Sequence, residues 1–383
     1  MFSSKLPDVG TTIFSTMTAL ANEVGAVNLS QGFPDYDIDP ILADLLARAI
    51  HDGFHQYAPM PGLLSLREAV ADKYSEMFNI SVDPASEITI TPGGTAALAT
   101  AIATVIRPGM DVIVFEPCYD SYGPAVRLSG GNVLPSAMLA PSYRPDWEHV
   151  RSLVSDRTAM IIVNSPHNPC GSTLTAEDLD SLAEICEGTD IVVLSDEVYE
   201  LITFDGFEHV SVLAHERLRE RSFVITSFGK TFHITGWKVG ACVAPPLLTL
   251  EFRKAHQFIS FCVNQPAQIA LSAYMQNPES YRALGTYFQT KRDLFRGLLT
   301  DSLWTIRPCA GTYFQLLGYE QFSDERDVDL AMRLTRECGV ASIPISPFVS
   351  QPHAHTDRAL RFCFAKKTET LERAAERLRS VLS

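Results

Sequence analysis

Runs of apolar residues without polar alternation recur through the first two-thirds of the chain. EITIT (87–91) is a short β-branched run that opens the series, and DVIVF (111–115), AMIIV (159–163), DIVVLS (190–195), FVITS (223–227) and GACVA (240–244) each read as a short strand buried on both faces. Between them lie helical patterns, notably Thr95–Ile106 and Ala176–Cys186. Continuous apolar strands alternating with helices predict a doubly wound α/β domain built on a mostly parallel sheet.

Beyond about residue 276 the texture changes. Charged helical stretches (Tyr287–Leu299, Thr368–Leu382) dominate, and GTYFQLL (311–317) and LRFCFA (360–365) read as strands of a smaller α+β unit. The first 40 or so residues carry no clear sheet pattern. The expected division is an N-terminal segment, 1–39, packed with the small unit, a large domain, 40–275, and a small C-terminal domain, 276–383.

Composition narrows the function classes. The chain has 383 residues, 46% of them hydrophobic, and a net charge of -14, a surface that repels phosphate backbones and disfavours nucleic acid as a partner. No apolar stretch has the ~20 residues needed to span a bilayer, so no membrane association is expected. MFSSKLPDVGTTIF lacks the pattern of a signal peptide, and the eight cysteines are scattered without CxxC spacing. A cytoplasmic protein without a zinc site or disulfide framework is the expectation. His353 and His355 form an HxH pair, read as a loop because no other ligand type clusters beside it; no metal is expected.

Ligands of open parallel sheets gather beyond the carboxyl ends of the strands. Five successive candidate strands run into TPGGTAAL, VFEPCYDSY, NSPHNPCG, DEVYE and SFGKTFHITGWKVG. This convergence of polar, aromatic and glycine residues has no use in a core. Gly229-Lys230-Thr231 imitates a nucleotide P-loop, but such a loop needs glycine where Val224 stands.

Taken together, these segments resemble the fold-type I pyridoxal-phosphate (PLP) enzymes, class I/II aminotransferases. SFGKTFHITGWKVG is similar to the family's lysine motif, NSPHNPCG to its N-P-x-N-P-[TS]-G segment with Ser165 and Cys170 as departures, and SDEVYE to its D-E-x-Y segment. The likeness runs from about Asn28 to Lys367. KLPDVGTTIF, NLSQGFPDYD, HQYAPMPG and RFCFAKK resemble the kynurenine and glutamine transaminase branch, with bacterial methionine aminotransferases among its members.

The resemblance implies an aspartate aminotransferase-like fold and a set of roles. Lys230 would carry PLP as a Schiff base and later shuttle the proton between substrate Cα and cofactor C4′. Asp196 would pair with the pyridine nitrogen, and Asn168 and Tyr199 would donate to the ring's phenolate oxygen. Gly94 and Thr95 at a helix N-terminus, with Ser227 and Lys238, would bind the phosphate. Many relatives have arginine at 238, and lysine supplies the charge without the bidentate fork. Tyr119 would stack on the ring. Tyr57 would reach the phosphate from the neighbouring subunit, which implies a homodimer with shared sites. Arg361 would fork onto the substrate α-carboxylate with help from the Gly32 backbone, and small-domain closure would complete the site. Phe14, Phe33, Phe258 and Phe261 would line an apolar side-chain pocket.

The implied reaction is ping-pong transfer of an amino group from an L-amino acid, with methionine leading and aromatic amino acids next, to a 2-oxo acid. A cysteine-conjugate or cystathionine β-lyase, which would use the same lysine and cofactor, stays open at this point.

Overall fold

The computed structural model describes residues 3–350 and 357–380; the His353/His355 pair lies outside them. After the short strand β1 (Val27–Asn28), the chain builds a seven-stranded sheet from β2 (Ile88–Thr91), β3 (Asp111–Glu116), β4 (Asn132–Ala137), β5 (Thr158–Asn164), β6 (Val192–Asp196), β7 (Ser222–Ser227) and β8 (Gly240–Val243). The order is β2-β8-β7-β6-β5-β3-β4. All pairings from β7 to β4 are parallel, and β8 is antiparallel to both its neighbours.

Strand periodicity explains why these runs are apolar throughout. Ile113, Phe115, Ile161, Val163, Val193 and Val224 face one core; Val112, Val114, Met160, Ile162, Leu194, Phe223 and Ile225 face the other. Helix Gly94–Val105 packs into the second core, and Ala176–Cys186 starts with a reciprocal cap between Thr175 and Asp178. The chain between β7 and β8 holds only a single helical turn, Phe228–Thr231, and a 3₁₀ turn, Thr235–Trp237. With no crossover helix, β8 returns antiparallel.

Strand β4 was not legible. NVLPSA alternates weakly and contains Pro135, which sheets tolerate at an edge; β4 pairs only with β3.

The remaining strands are β9 (Thr305–Ile306), β10 (Phe314–Gly318), β11 (Val340–Ala341), β12 (Ile343–Pro344) and β13 (Ala359–Cys363). Four of them form an antiparallel sheet ordered β12-β13-β10-β9, while β11 pairs in parallel with β1. The expected strand 311–317 begins only at Phe314, because Thr312 holds a left-handed φ of 68°. The two-residue β1 is too short to leave a periodic signal.

A run of donors clasps the segment after β1. The Cys363 amide donates to Leu29 carbonyl, the Tyr313 hydroxyl to Gly32 carbonyl (2.6 Å), Lys366 Nζ to Phe33 carbonyl (2.6 Å), and the Lys367 amide and Thr370 hydroxyl to Asp35. This brings the 29–35 segment over the carboxyl ends of the large sheet. Among the described residues no helix is long and apolar enough to cross a membrane.

Candidate active site

Beyond the carboxyl ends of β2, β3 and β5–β7 lies a pocket of about 190 Å³ lined by Gly94, Thr95, Tyr119, Asn168, Asp196, Tyr199, Ser227, Lys230 and Lys238. It opens into a cleft of about 1400 Å³ that adds Phe14, Gly32, Phe33 and Arg361. The sequence segments singled out above therefore meet at one place.

Lys230 lies in the helical turn after β7. Its Nζ donates to the Gly32 carbonyl at 3.3 Å and stands 5.7 Å from the ring centres of both Tyr199 and Tyr313. Desolvation pushes its pKa down to about 8; nearby Arg361 and Lys238 push the same way, against Cys363 and Asp196. A share of neutral amine is therefore present near neutral pH, as a nucleophile requires.

Asp196 ends β6 with 4% exposure. Burial raises its pKa to about 6, opposed by the Tyr122 hydroxyl, which donates to Oδ2 at 2.7 Å, and by the Val198 amide on Oδ1. Tyr122 was missed in the sequence. The signal was a second tyrosine three residues after Tyr119, where a helix begins, but only the first was given a role.

Tyr199 is buried, edge-on to Tyr313 (5.1 Å) and Phe314 (5.9 Å), and desolvation keeps its hydroxyl protonated. The Asn168 side chain has a fixed sense: Oδ1 accepts from Arg361 Nη1 at 2.8 Å, which leaves the NH2 as its donor. Arg361, 1% exposed, spends its other terminal nitrogen on the Ser30 carbonyl, lies 3.9 Å from the Phe314 ring centre, and keeps a buried Nε with no partner. A buried guanidinium whose hydrogen bonds go to neutral acceptors, with the Asp120 carboxylate near but not bonded to it, on the wall of an open cleft, suits an anion.

At the opposite wall Gly93 takes φ 85° and abuts Lys238, whose Nζ would be 3.2 Å from any Cβ placed there. A side chain at 93 would be strained and crowded. The glycine thus lets Lys238 approach the N-terminus of helix Gly94–Val105, with Ser227 beside Gly94. The Thr95 and Tyr119 hydroxyls are 3.2 Å apart, so the Tyr119 ring borders the same corner. Free amides, an ammonium and a hydroxyl make an anion cradle.

Two of the four phenylalanines expected in the side-chain pocket lie outside it, as does Tyr57, which the resemblance assigns to the neighbouring subunit's site. Tyr57 is 79% exposed and edge-on to Phe261, and Phe258 is 86% exposed. Within one protomer the structure brings Phe14 and Phe33 to the cleft and leaves Phe258 and Phe261 away from it.

Removing the Tyr122 hydroxyl should raise the Asp196 pKa further. On the pairing of Asp196 with the PLP ring nitrogen that the sequence resemblance implies, Tyr122→Phe should lower affinity for PLP about 10- to 100-fold, since a hydrogen bond to a charged group contributes ~1.5–3 kcal/mol. The deficit should widen as pH falls from 8 to 6, because the variant's carboxylate protonates first. Fluorescence titration of the cofactor-free protein across that range checks it; parent-like affinity throughout would remove Tyr122 from the site.

The aminotransferase class I and II family matches residues 24–378. The chain is 48% identical to the methionine aminotransferase of Escherichia coli over 99% of its own length and 98% of that protein. It superposes with a TM-score of 0.97 on a solved Escherichia coli structure identified with that function, which is likewise 48% identical, with 99% of each chain covered. It is 35% identical to a probable N-succinyldiaminopimelate aminotransferase of Mycobacterium tuberculosis (100% and 99% covered) and 32% identical to the kynurenine–oxoglutarate transaminase of Dictyostelium discoideum (98% and 95%). The fold is that of the aspartate aminotransferase-like PLP enzymes, and the chain belongs to the class I and II aminotransferases.

Proposed function

We propose that this aminotransferase moves the amino group of L-methionine, and of aromatic amino acids, to a 2-oxo acid by a ping-pong sequence, in a cytoplasmic homodimer. The observation that carries the reading is the Lys230 amine, facing the Asp196 carboxylate and the Arg361 guanidinium across one cleft. The substrate class draws on the 48% identity to a methionine aminotransferase and on the apolar faces of Phe14 and Phe314 beside Arg361.

The residues fit the cofactor. Gly94, Thr95, Ser227 and Lys238 would take the phosphate, Asp196 the pyridine nitrogen, and the Asn168 NH2 and the Tyr199 hydroxyl the phenolate oxygen, with Tyr119 against the ring. When bound, PLP supplies the sink for the electron pair of the substrate Cα–H bond. Lys230 would hold the cofactor through its amine, and that amine would be the group that moves the proton to and from the substrate Cα. Arg361, with the Gly32 backbone beside it and Phe33 at the cleft mouth, binds the α-carboxylate and so fixes which bond at Cα is aligned for cleavage. On this reading residues 40–275 form the large PLP domain, and 276–383 with 1–39 the small one.

Borohydride should fix PLP covalently to the parent and not to Lys230→Ala, checked by mass of the reduced protein; a fixed cofactor in the variant would end the central claim. In the parent, the rate of covalent capture by the cofactor-free protein should climb as pH passes about 8, where the lysine loses its proton, and level off above it. Stopped-flow absorbance follows that rise.

The homodimer reading rests on the exposed face formed by Tyr57, Phe258, Ile259 and Phe261. Covered by a partner, it would bring Tyr57 to the other protomer's phosphate site. Eight unpaired cysteines suit a reducing cytoplasm. Phe258→Asp, on an 86% exposed side chain far from the pocket, should yield monomers by sedimentation and lose most activity with dimerisation. A fully active monomer would refute shared sites.

A further inference from the structure

Asn164 has no role in the reaction as derived above, yet it is buried and its side chain makes three hydrogen bonds. Its Nδ2 donates to the Asp196 carbonyl at 2.7 Å and to the Pro166 carbonyl at 3.3 Å, and its Oδ1 accepts from the Asn168 amide at 2.8 Å. Asn164 and Asp196 are also register partners, the last pair of the β5–β6 ladder. Past that pair the Ser165 amide still reaches the Asp196 carbonyl (3.1 Å), and then the chain turns away through Pro166. The carboxamide of Asn164 stands in for the missing peptide group: a donor toward β6, an acceptor toward the loop that carries Asn168.

We propose that Asn164 is the positioning residue that sets Asp196 and Asn168 in register with each other. The geometry fixes the sense of its amide, because only nitrogen can face two carbonyls and only oxygen can face an N–H. No other side chain meets these demands at this reach. Aspartate lacks the donor, serine is too short, glutamine too long and leucine offers neither group. The tie extends one step further, since the Asn168 Oδ1 receives Arg361. One buried carboxamide thus links the groups assigned to the pyridine nitrogen, the phenolate oxygen and the substrate carboxylate.

The inference rests on the PLP reading, and the test separates the two. Asn164→Asp and Asn164→Ser would be purified beside the parent and examined for cofactor affinity, for the pH midpoint of the bound cofactor's absorbance, and for thermal midpoint with cofactor removed. Asn164→Asp keeps the shape and the acceptor but turns an oxygen toward the Asp196 carbonyl; Asn164→Ser is smaller, neutral and leaves room for water. Each variant should bind PLP about 10- to 100-fold more weakly, the range given by leaving buried partners unsatisfied. Each should also titrate at higher pH than the parent, because the acceptor for the ring nitrogen and the donor to the phenolate oxygen are both displaced. A lowered thermal midpoint with parent-like affinity and parent-like pH midpoint makes Asn164 a fold-maintaining residue only and overturns the proposal. If the parent itself fails to bind PLP, the underlying cofactor reading falls instead.

Discussion

A carboxylate at 4% exposure is tolerated only where its surroundings are organised around it, and Asp196 is such a group. Its side chain faces Tyr122 and the Val198 amide, and its carbonyl takes donors from Ser165 and Asn164. The strand beneath it is pinned on both sides, by β5 and by β7. The next acidic residues of the same segment face away from the pocket. Glu197 accepts from Ser195, His209 and the Val212 amide, and Glu200 pairs with Lys73 and accepts from Thr226 and Tyr74. Asp196, Glu197 and Glu200 are held by different partners in different directions, and the Tyr199 ring is packed edge-on against Tyr313 and Phe314, so the segment has little freedom to rotate any one of them.

The second constraint is the 29–35 segment. It belongs by sequence to the beginning of the chain, yet its carbonyls are held by residues from its far end, and Gly32 is shared between Tyr313 and Lys230. The lysine therefore contacts both the large sheet that carries it and a strap fastened to the small antiparallel sheet. The small sheet thus reaches the Lys230 amine both through the Gly32 carbonyl and through the Tyr313 ring, 5.7 Å away.

Most of the large sheet was legible because strands buried on both faces are predominantly apolar or β-branched, and six of its seven strands carry that pattern. Edge strand β4 obeys a weaker rule and left no signal. The site residues at strand ends were legible because a lysine, an aspartate and an asparagine among glycines have no packing role there. Tyr122 and Asn164 were harder to see, since each also makes sense as an ordinary buried residue; only the direction of their hydrogen bonds reveals what they serve. Tyr57, Phe258 and Phe261 show a different limit. The expectations for Phe258 and Phe261 place them in a side-chain pocket and that for Tyr57 in the neighbouring subunit's site, while one protomer leaves all three on its outside.

Arg361 is buried and charged; its hydrogen bonds go to neutral oxygens, the Phe14 and Phe314 rings lie beside it, and the Asp120 carboxylate is its nearby opposite charge. Such a site is selective for the kind of ion rather than for ionic strength as such. Small carboxylates common in buffers would compete for it directly, whatever cation accompanies them. On the proposed role of Arg361, a substrate carboxylate would meet a guanidinium whose direct hydrogen-bond partners are all neutral, and would add the bidentate anionic partner that the protein's own hydrogen bonds do not provide.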